Sequence, residues 1–314
     1  MIIYEFGYSM TNKFITVSLA GSSEEIIINK LIKFLPSRFY RAYLLRYLPV
    51  NLRRSCYLGE EVQDIILPFT REEVECFGEA YMEKFLLRLK ESFDLGMAFF
   101  TKHIYEYSAQ EEEECKSLLK YIMLDDVIEM LLEDNGIEAK DMRLVILDSN
   151  DRRIEYVLEM LVPRLNYLTV VTERAEYFEE FVEAVFEDFG LVVETVSGVM
   201  REPLDGNVVI DMNPNVSRNY SFYREGTVIL DLESSLEKRQ YLYARRKRFH
   251  FFYDMKVTAR GEKVDAVKFG VFLCSQNFAV RNFMVDRNKN YGVKEIQSLK
   301  NLYDMKLNRV IKLH

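Results

Sequence analysis

Three aspartates in this sequence each end a short run of apolar residues: Asp148 in LVILD, Asp211 in VVID and Asp231 in VILD. If these runs are parallel strands, their carboxyl ends meet at one edge of a sheet, where open α/β sheets bind ligands. Three carboxylates there could bind a divalent metal through oxygen ligands, or they could cap the loops that follow, which is the commoner use. We favour capping and expect no metal. Asn213, close to Asp211, is a further candidate for contact with a ligand.

The loop after the first apolar run reads Asp148-Ser149-Asn150-Asp151-Arg152, and a helical pattern follows it. The free N–H groups and partial positive charge at a helix N-terminus attract phosphate groups. Asp148, Ser149 and Asn150 are therefore candidates for cofactor binding. Ser149, Asn150 or Asp151 can instead cap the helix from within, which would leave little need for an external anion.

The second apolar run, YLTVVTE, brings Thr172, Glu173 and Arg174 to the end of a predicted strand. Glu173 lies 24 residues after Ser149 (173 − 149), about where dinucleotide-binding domains place the acid that binds a ribose. Arg174 could instead meet a 2′-phosphate. The simpler alternatives are an exposed charge for Glu173 and, for Arg174, a salt bridge to the Glu-rich helix that follows. We favour these alternatives and keep all three residues as candidates.

Other catalytic groups have no obvious partners in the sequence. The four cysteines form no CxxC pair, and the three histidines, His103, His250 and His314, have no zinc-binding spacing. No serine lies in a G-x-S-x-G elbow. The sequence therefore marks no catalytic residue, and we lean towards a protein that is not an enzyme.

Five apolar runs alternate with helical patterns, which is typical of a parallel sheet covered by helices on both faces. The predicted strands are 143–149, 167–173, 191–197, 207–213 and 227–234. The predicted fold class is α/β, with a Rossmann-like parallel-sheet domain over 141–235. A mixed α+β N-terminal domain over 1–140 precedes it. A helical C-terminal segment over 236–314 follows it and can pack back on the N-terminal domain.

Local patterns also predict the elements of the flanking regions. Apolar runs at 2–6 and 14–19 predict a hairpin, and the run at 62–69 predicts a strand. Capping boxes and helical spacing of apolar residues predict helices over the following stretches: from 22 to Pro36, 37–54, 71–92, and from 108 to Gly136. The C-terminal segment contains a basic–aromatic stretch, 238–253. Such a stretch can bind single-stranded nucleic acid, but we favour its use against the protein's own acidic helices or a partner.

The 143–234 stretch resembles the NAD(P)-binding domain of the shikimate-dehydrogenase, glutamyl-tRNA-reductase and amino-acid-dehydrogenase group. The residues that carry the likeness are VILDS, VVTERAEYFEEF, NVVIDMNP and GTVILDLES. The resemblance implies a Rossmann-like fold with NAD or NADP at the strand ends. The family has G-x-G-x-x-G or G-x-G-x-x-A after its first strand, whereas the residues from Asp148 to Arg153 include no glycine. We therefore interpret this loop as degenerate, with Asp148 and Asp151 placing negative charge where a diphosphate would lie.

Composition narrows the functional classes further. The chain has 314 residues and a net charge of −8, which argues against a general nucleic-acid binder. The N-terminus lacks the features of a signal peptide, and no window is apolar enough for a membrane span. We therefore expect a cytoplasmic protein.

The expected function is that of a non-catalytic or regulatory Rossmann-like protein that binds an unknown protein partner or small ligand and needs no cofactor. One alternative is an NAD(P)-dependent oxidoreductase with a divergent cofactor loop. Another is an enzyme that binds a different nucleotide, or a methyl donor, at the same strand edge.

Overall fold

The computed structural model describes residues 14–20, 35–93, 95, 98–100, 111–198, 203–216, 218–233, 235–244, 248–285 and 293–313. Residues 2–6 of the predicted hairpin, most of the helix predicted after residue 22, and Ser108 lie outside these ranges. The chain forms two compact units. Unit 1 comprises Met1–Lys116 and Val267–Arg281, and unit 2 comprises Ser117–Ala266 and Asn282–His314. No described helix has the length and hydrophobicity needed to cross a membrane.

The described helices and strands are numbered in chain order. Those up to residue 134 are β1 (Ile15–Leu19), α1 (Ser37–Tyr47), β2 (Asn51–Tyr57), β3 (Glu60–Leu67), α2 (Arg71–Phe77), α3 (Glu79–Phe93), β4 (Ala98–Phe100), α4 (Glu111–Ile122) and α5 (Leu124–Asp134). Those that follow are β5 (Arg143–Leu147), α6 (Arg153–Leu161), β6 (Tyr167–Thr172), α7 (Glu179–Phe189), β7 (Val193–Ser197), β8 (Val208–Asp211), β9 (Val228–Asp231), α8 (Leu236–Tyr243), β10 (His250–Ala259), β11 (Glu262–Lys263), α9 (Ala266–Gln276), α10 (Phe278–Val285), α11 (Val293–Leu302) and β12 (Lys306–Lys312).

Unit 1 contains a sheet in the order β2-β3-β1-β4. Strands β2 and β3 form an antiparallel hairpin, and β1 lies parallel to both β3 and β4. The two residues of the hairpin turn, Leu58 and Gly59, have φ values of 51° and 82°, as a tight turn between twisted strands requires. Helices α1, α2 and α3 supply Leu44, Val74 and Phe85 to the apolar core beside this sheet.

The helix predicted over 37–54 is wrong in its second half. Helix α1 ends at Tyr47, and residues 51–57 form β2. Pro49 has no N–H to continue the helix and disfavours helical geometry in the residue before it. Leu48 lies outside the right-handed helical region, with a φ of 41°.

The helix predicted over 71–92 is broken into α2 and α3. Gly78 separates them with a φ of 79°, which is outside the range of a right-handed helix. The predicted capping box is present at the start of α2, where the Thr70 N–H donates to Glu73 Oε2 at 2.9 Å. The apolar residues on both sides of the break still face the same side, because Val74, Phe77 and Phe85 pack into one core.

Unit 2 contains the predicted Rossmann-like sheet, and the predicted fold class is confirmed. All five predicted strands are present, and the spatial order is β7-β6-β5-β8-β9-β10. Each neighbouring pair in this order is parallel. Counted from β5, the order is 3-2-1-4-5-6, which is the Rossmann arrangement with its switch point beside the first strand.

The segment after residue 236 is not wholly helical. It contains the helices α8 to α11, but β10 adds to the parallel sheet beside β9, and β11 and β12 pair with β10 antiparallel. The second half of β10 alternates strictly, because Met255, Val257 and Ala259 are buried on one face. Within this segment, α11 ends at Leu302, where Asp304 turns the chain with a φ of 43° and β12 begins.

In unit 1, the backbone of α9 lies close to that of α4 at Cys115. A Cβ atom built on Gly270 of α9 would lie 2.1 Å from the carbonyl oxygen of Cys115 in α4. One turn later on α9, Cys274 brings its Sγ to 3.6 Å from that of Cys115, and both residues are buried. Glycine at position 270 therefore sets the distance between the two helices.

Replacing Gly270 with alanine should destabilise the protein by about 1–3 kcal/mol, the usual cost of overpacking. The result is diagnostic because alanine in a helix interior is otherwise more favourable than glycine by about 0.5–1 kcal/mol. Urea denaturation of Gly270→Ala measures the change, with exposed Gln276→Ala in the same helix as the control. A stabilised Gly270→Ala variant would contradict the close helix contact.

Candidate functional site

The carboxyl ends of the central strands of unit 2 carry buried polar side chains. Asp148 directly follows β5, Thr172 ends β6, Asp211 ends β8 and Asp231 ends β9. Asp211 and Asp231 are direct neighbours in the register of β8 and β9. The sheet thus brings these groups to the edge where Rossmann-like domains bind ligands, and they divide into two clusters there.

The first cluster is centred on the carboxylate of Asp148, whose side chain is fully buried. Arg174 donates from Nε to Asp148 Oδ2 at 2.8 Å and from Nη2 to Oδ1 at 3.0 Å. Thr172 Oγ1 also donates to Oδ2, at 2.7 Å. Arg174 therefore binds Asp148 in a bidentate pair, which is the strong geometry for an arginine and a carboxylate. The predicted salt bridge to the following Glu-rich helix is replaced by this pair.

Arg174 also covers the loop that follows β5. Its Nη2 donates to the carbonyl oxygen of Asp151 at 2.7 Å, and its guanidinium lies 4.2 Å from the centre of the Tyr177 ring. The loop itself bends at Asn150, which has a φ of 63°. The Asn150 N–H donates to Asp148 Oδ1 at 3.0 Å, so one of the loop's free donors is already used.

The N-terminus of α6 is capped by the chain itself. Of the three residues predicted to be able to cap it, Asp151 accepts the N–H of Arg153 at 2.9 Å. Arg153 is buried and bridges Asp151 and Glu233, with 2.7 Å to each carboxylate. Burial opposes ionisation of Asp151, but the hydrogen bonds and charge of Arg153 outweigh it and lower the pKa of Asp151. Asp151 therefore stays ionised beside the N-terminus of α6, where its negative charge is favourable.

The second cluster surrounds the ammonium group of Lys238, which is completely buried in α8. Its Nζ lies 3.0 Å from Asp211 Oδ2 and 2.7 Å from Asp231 Oδ1, and it donates to the Asn213 carbonyl oxygen at 2.6 Å. Tyr220 donates its hydroxyl to Asp211 Oδ2. Two carboxylates thus share one cation, and a lysine lies between the aspartates that could otherwise have bound a metal.

Burial shifts the ionisation of this cluster. Desolvation raises the pKa of Asp211, against the opposing charge of Lys238. Burial also disfavours the charged form of Lys238, but the two carboxylates outweigh it and raise the pKa of the ammonium. Burial and the Asp211 charge raise the pKa of Tyr220 well above its usual value, so the phenol remains a donor. Oδ2 of Asp231 is buried without a hydrogen-bond partner among the described residues.

Five of the eight predicted site residues line a small cavity. The cavity has a volume of about 70 Å³ and is lined by Asp148, Asn150, Thr172, Glu173 and Asn213, together with Leu147, Val171 and Gly198. Glu173 is exposed, and its side chain packs so closely on Gly198 that a Cβ there would lie 2.5 Å from Glu173 Cγ. Ser149 is half-buried in the loop. All eight predicted site residues thus lie on the same edge, and two of them, Asp211 and Asn213, also contact Lys238.

The sequence did not mark Lys238, Tyr220 or Arg153 as site residues. Lys238 belonged to the basic–aromatic stretch and carried no separate signal, although it lies seven residues after a strand-end aspartate (238 − 231). Ser235 caps the helix by accepting the N–H of Lys238 at 3.1 Å. A strand-end Asp followed by a capped helix with Lys in its first turn is a pattern that could have predicted the pair.

Part of the basic–aromatic stretch is used inside unit 2. Arg248 donates to the carbonyl oxygens of Ser221 and Tyr223, while Phe249 and Phe251 are in the core. Arg245, Arg246 and Lys247 lie outside the described residues. Among the described residues, no group of three or more His, Cys, Asp and Glu side chains is arranged to bind a metal.

Replacing Lys238 with methionine should destabilise the protein by about 3–5 kcal/mol at pH 7, because two buried carboxylates lose their cation. A buried carboxyl whose folded-state pKa is raised is most favourable at low pH and loses that contribution as the pH rises. The loss in Lys238→Met should therefore be smaller at pH 5 than at pH 7.

Urea denaturation at both pH values measures this difference. Lys263→Met, at an exposed position in β11, is the control and should change stability by less than about 0.5 kcal/mol. Equal losses for Lys238→Met at the two pH values would argue against the charge cluster.

Among known proteins, the chain is similar to several solved structures. No protein-family model matches the sequence, and no curated protein matches it. The chain is similar to the L-tryptophan dehydrogenase from Nostoc punctiforme, with 14% identity and a TM-score of 0.36 over 94% of this chain and 81% of that one. It is also similar to the 5-ketofructose reductase of Gluconobacter sp. strain CHM43, with 10% identity and a TM-score of 0.32 over 93% and 99% of the two chains.

A third similar structure is the shikimate 5-dehydrogenase from Listeria monocytogenes, solved in complex with shikimate and NAD. It has 9% identity and a TM-score of 0.32, with coverage of 93% of this chain and 97% of that one. The strand order of unit 2 is the feature that identifies the fold as Rossmann-like.

Proposed function

We propose that this chain is a non-catalytic binding or regulatory protein of the cytoplasm, built on a Rossmann-like unit that works without a dinucleotide. The observation that carries the proposal is the bidentate pair between Arg174 and Asp148, which closes the edge between β5 and β6. In dinucleotide-binding domains, this edge is left open for the pyrophosphate.

The residues present do not fit a dinucleotide at this edge. A pyrophosphate is bound by free N–H groups at a helix N-terminus and by a loop without side chains. Here Asp148 and Asp151 accept the N–H groups of Asn150 and Arg153. The N–H groups that a pyrophosphate would need are thus already used, and the cavity of about 70 Å³ is far below the roughly 300–1,000 Å³ of a typical ligand pocket.

A divergent NAD(P)-dependent oxidoreductase is the second candidate. It is favoured by the 3-2-1-4-5-6 strand order, which dinucleotide-binding domains share. Glu173 is exposed at the end of β6, where an acid would bind the ribose of NAD. Arg174, if released from Asp148, could bind the 2′-phosphate of NADP. This function requires the Arg174–Asp148 pair to open.

Isothermal titration with NAD, NADH, NADP and NADPH tests the proposal. We expect no dissociation constant below about 1 mM, which corresponds to a binding free energy of roughly 4 kcal/mol in magnitude. Native mass spectrometry of freshly purified protein extends the test to other nucleotides and to methyl donors, and the expected mass is that of the chain alone. Micromolar binding of a dinucleotide would overturn the proposal, as would a nucleotide or methyl donor that copurifies with the chain. If binding is found, Glu173→Ala should weaken it and the oxidoreductase function would be favoured.

A further inference from the structure

A groove with an apolar floor lies on unit 2. It runs between α6, with the turn that follows it, and α7, and its volume is about 520 Å³. The floor includes Leu158, Val162, Phe181 and Phe189. Grooves between two helices are a common docking site for an amphipathic helix, whose apolar face they cover.

Helix α7 has large apolar side chains that remain exposed to solvent. Val185 is its buried residue, while Phe189, which lines the groove, is 53% exposed. Just before the helix, Tyr177 is 40% exposed and also lines the groove. Contiguous exposed apolar side chains of this kind mark interaction surfaces in soluble proteins.

The rim of the groove is acidic. Glu155, Glu159, Glu180 and Asp188 line it, and the sequence from 175 to 198 contains seven acidic residues and no Lys, Arg or His. Within the described part of the chain, no ion pair is present for Glu159, Glu180 or Asp188. A cationic occupant would therefore neutralise the rim, whereas nucleic acid, an anionic membrane or the same acidic face of a second copy would be repelled.

One wall of the groove is fixed by the cluster that closes the strand edge. Arg174, paired with Asp148, stacks on the Tyr177 ring at 4.2 Å. The Tyr177 hydroxyl donates to Glu155, which also pairs with Arg152 at 2.7 Å. The residues that fill the dinucleotide edge thus also order the groove, and a preformed groove binds with a smaller loss of conformational entropy.

We propose that the groove between α6 and α7 binds a basic amphipathic helix of a protein partner. Aliphatic side chains of that helix lie on the floor around Leu158 and Phe189, and its lysines or arginines meet the rim at Glu159 and Asp188. This inference rests on the proposed function as a binding protein and names the class of partner.

The test uses a fluorescein-labelled peptide of leucine and lysine, about 18 residues long, with the leucines on one helical face. Fluorescence anisotropy with the full chain should give a micromolar Kd that weakens as salt is raised, since salt screens the rim charges. A peptide with glutamate in place of every lysine should not bind. Failure of the lysine peptide to bind below about 100 μM, or equal binding of the glutamate peptide, would overturn the proposal.

Two matched pairs of variants locate the binding surface. Phe189→Ser, on the floor, should weaken binding by about ten-fold, while Phe186→Ser, on the same helix but outside the groove lining, should leave it within about two-fold. Asp188→Lys, on the rim, should likewise weaken binding, and Glu187→Lys, outside the lining, should not. Thermal melts check that all four variants are folded. Equal effects within either pair would contradict the groove as the site.

Two further measurements separate this inference from other outcomes. Light scattering should show a monomer, and a dimer that Phe189→Ser dissociates would identify a second copy as the occupant and overturn the proposal. The dinucleotide titrations above test the proposed function independently. Peptide binding together with tight NAD(P) binding would support the groove as a peptide-binding site and would refute the proposed function without a dinucleotide.

Discussion

The architecture of unit 2 depends on cations that neutralise the carboxylates at the ends of its parallel strands. Asp211 and Asp231 lie side by side in the sheet register and share the ammonium of Lys238. Asp148 is held by Arg174. Ionised carboxylates buried in a protein are tolerated only with such partners. The parallel sheet can therefore place acids at its edge because α8 and the β6 strand end supply the positive charge.

These internal pairs use hydrogen-bond donors at the edge where Rossmann-like domains bind ligands. In a dinucleotide-binding domain, the first loop leaves its N–H groups free and avoids side chains, so that phosphates can approach the backbone. Here Asp148 and Asp151 accept those N–H groups, and Arg174 lies across the loop. The same arginine stacks on Tyr177 at the wall of the groove beside α7. The closed edge and the open groove are therefore parts of one connected structure.

Local patterns predicted the parallel sheet well and the flanking regions less well. The five apolar runs became β5 to β9 because short buried runs between helical patterns have few other stable arrangements. The regions where the predicted helices are wrong have local patterns that fit both a helix and a strand. Residues 37–54 are amphipathic throughout, and Pro49 is the one local signal that the helix ends. His250–Ala259 contains basic and aromatic residues that suit a helix as well as a strand. Pairing with β9 and β12 decides the second case.

The sequence by itself determined which residues end the strands, that no glycine follows β5, and that α7 has a strongly acidic face. Only the tertiary structure decided which charges pair. Arg174 binds Asp148, 26 residues away, instead of the neighbouring glutamates, and Lys238 is placed between two aspartates that are 20 residues apart. Such pairing depends on strand register and on crossover helices, which set distances between residues far apart in the chain. Local sequence patterns have no information about those distances.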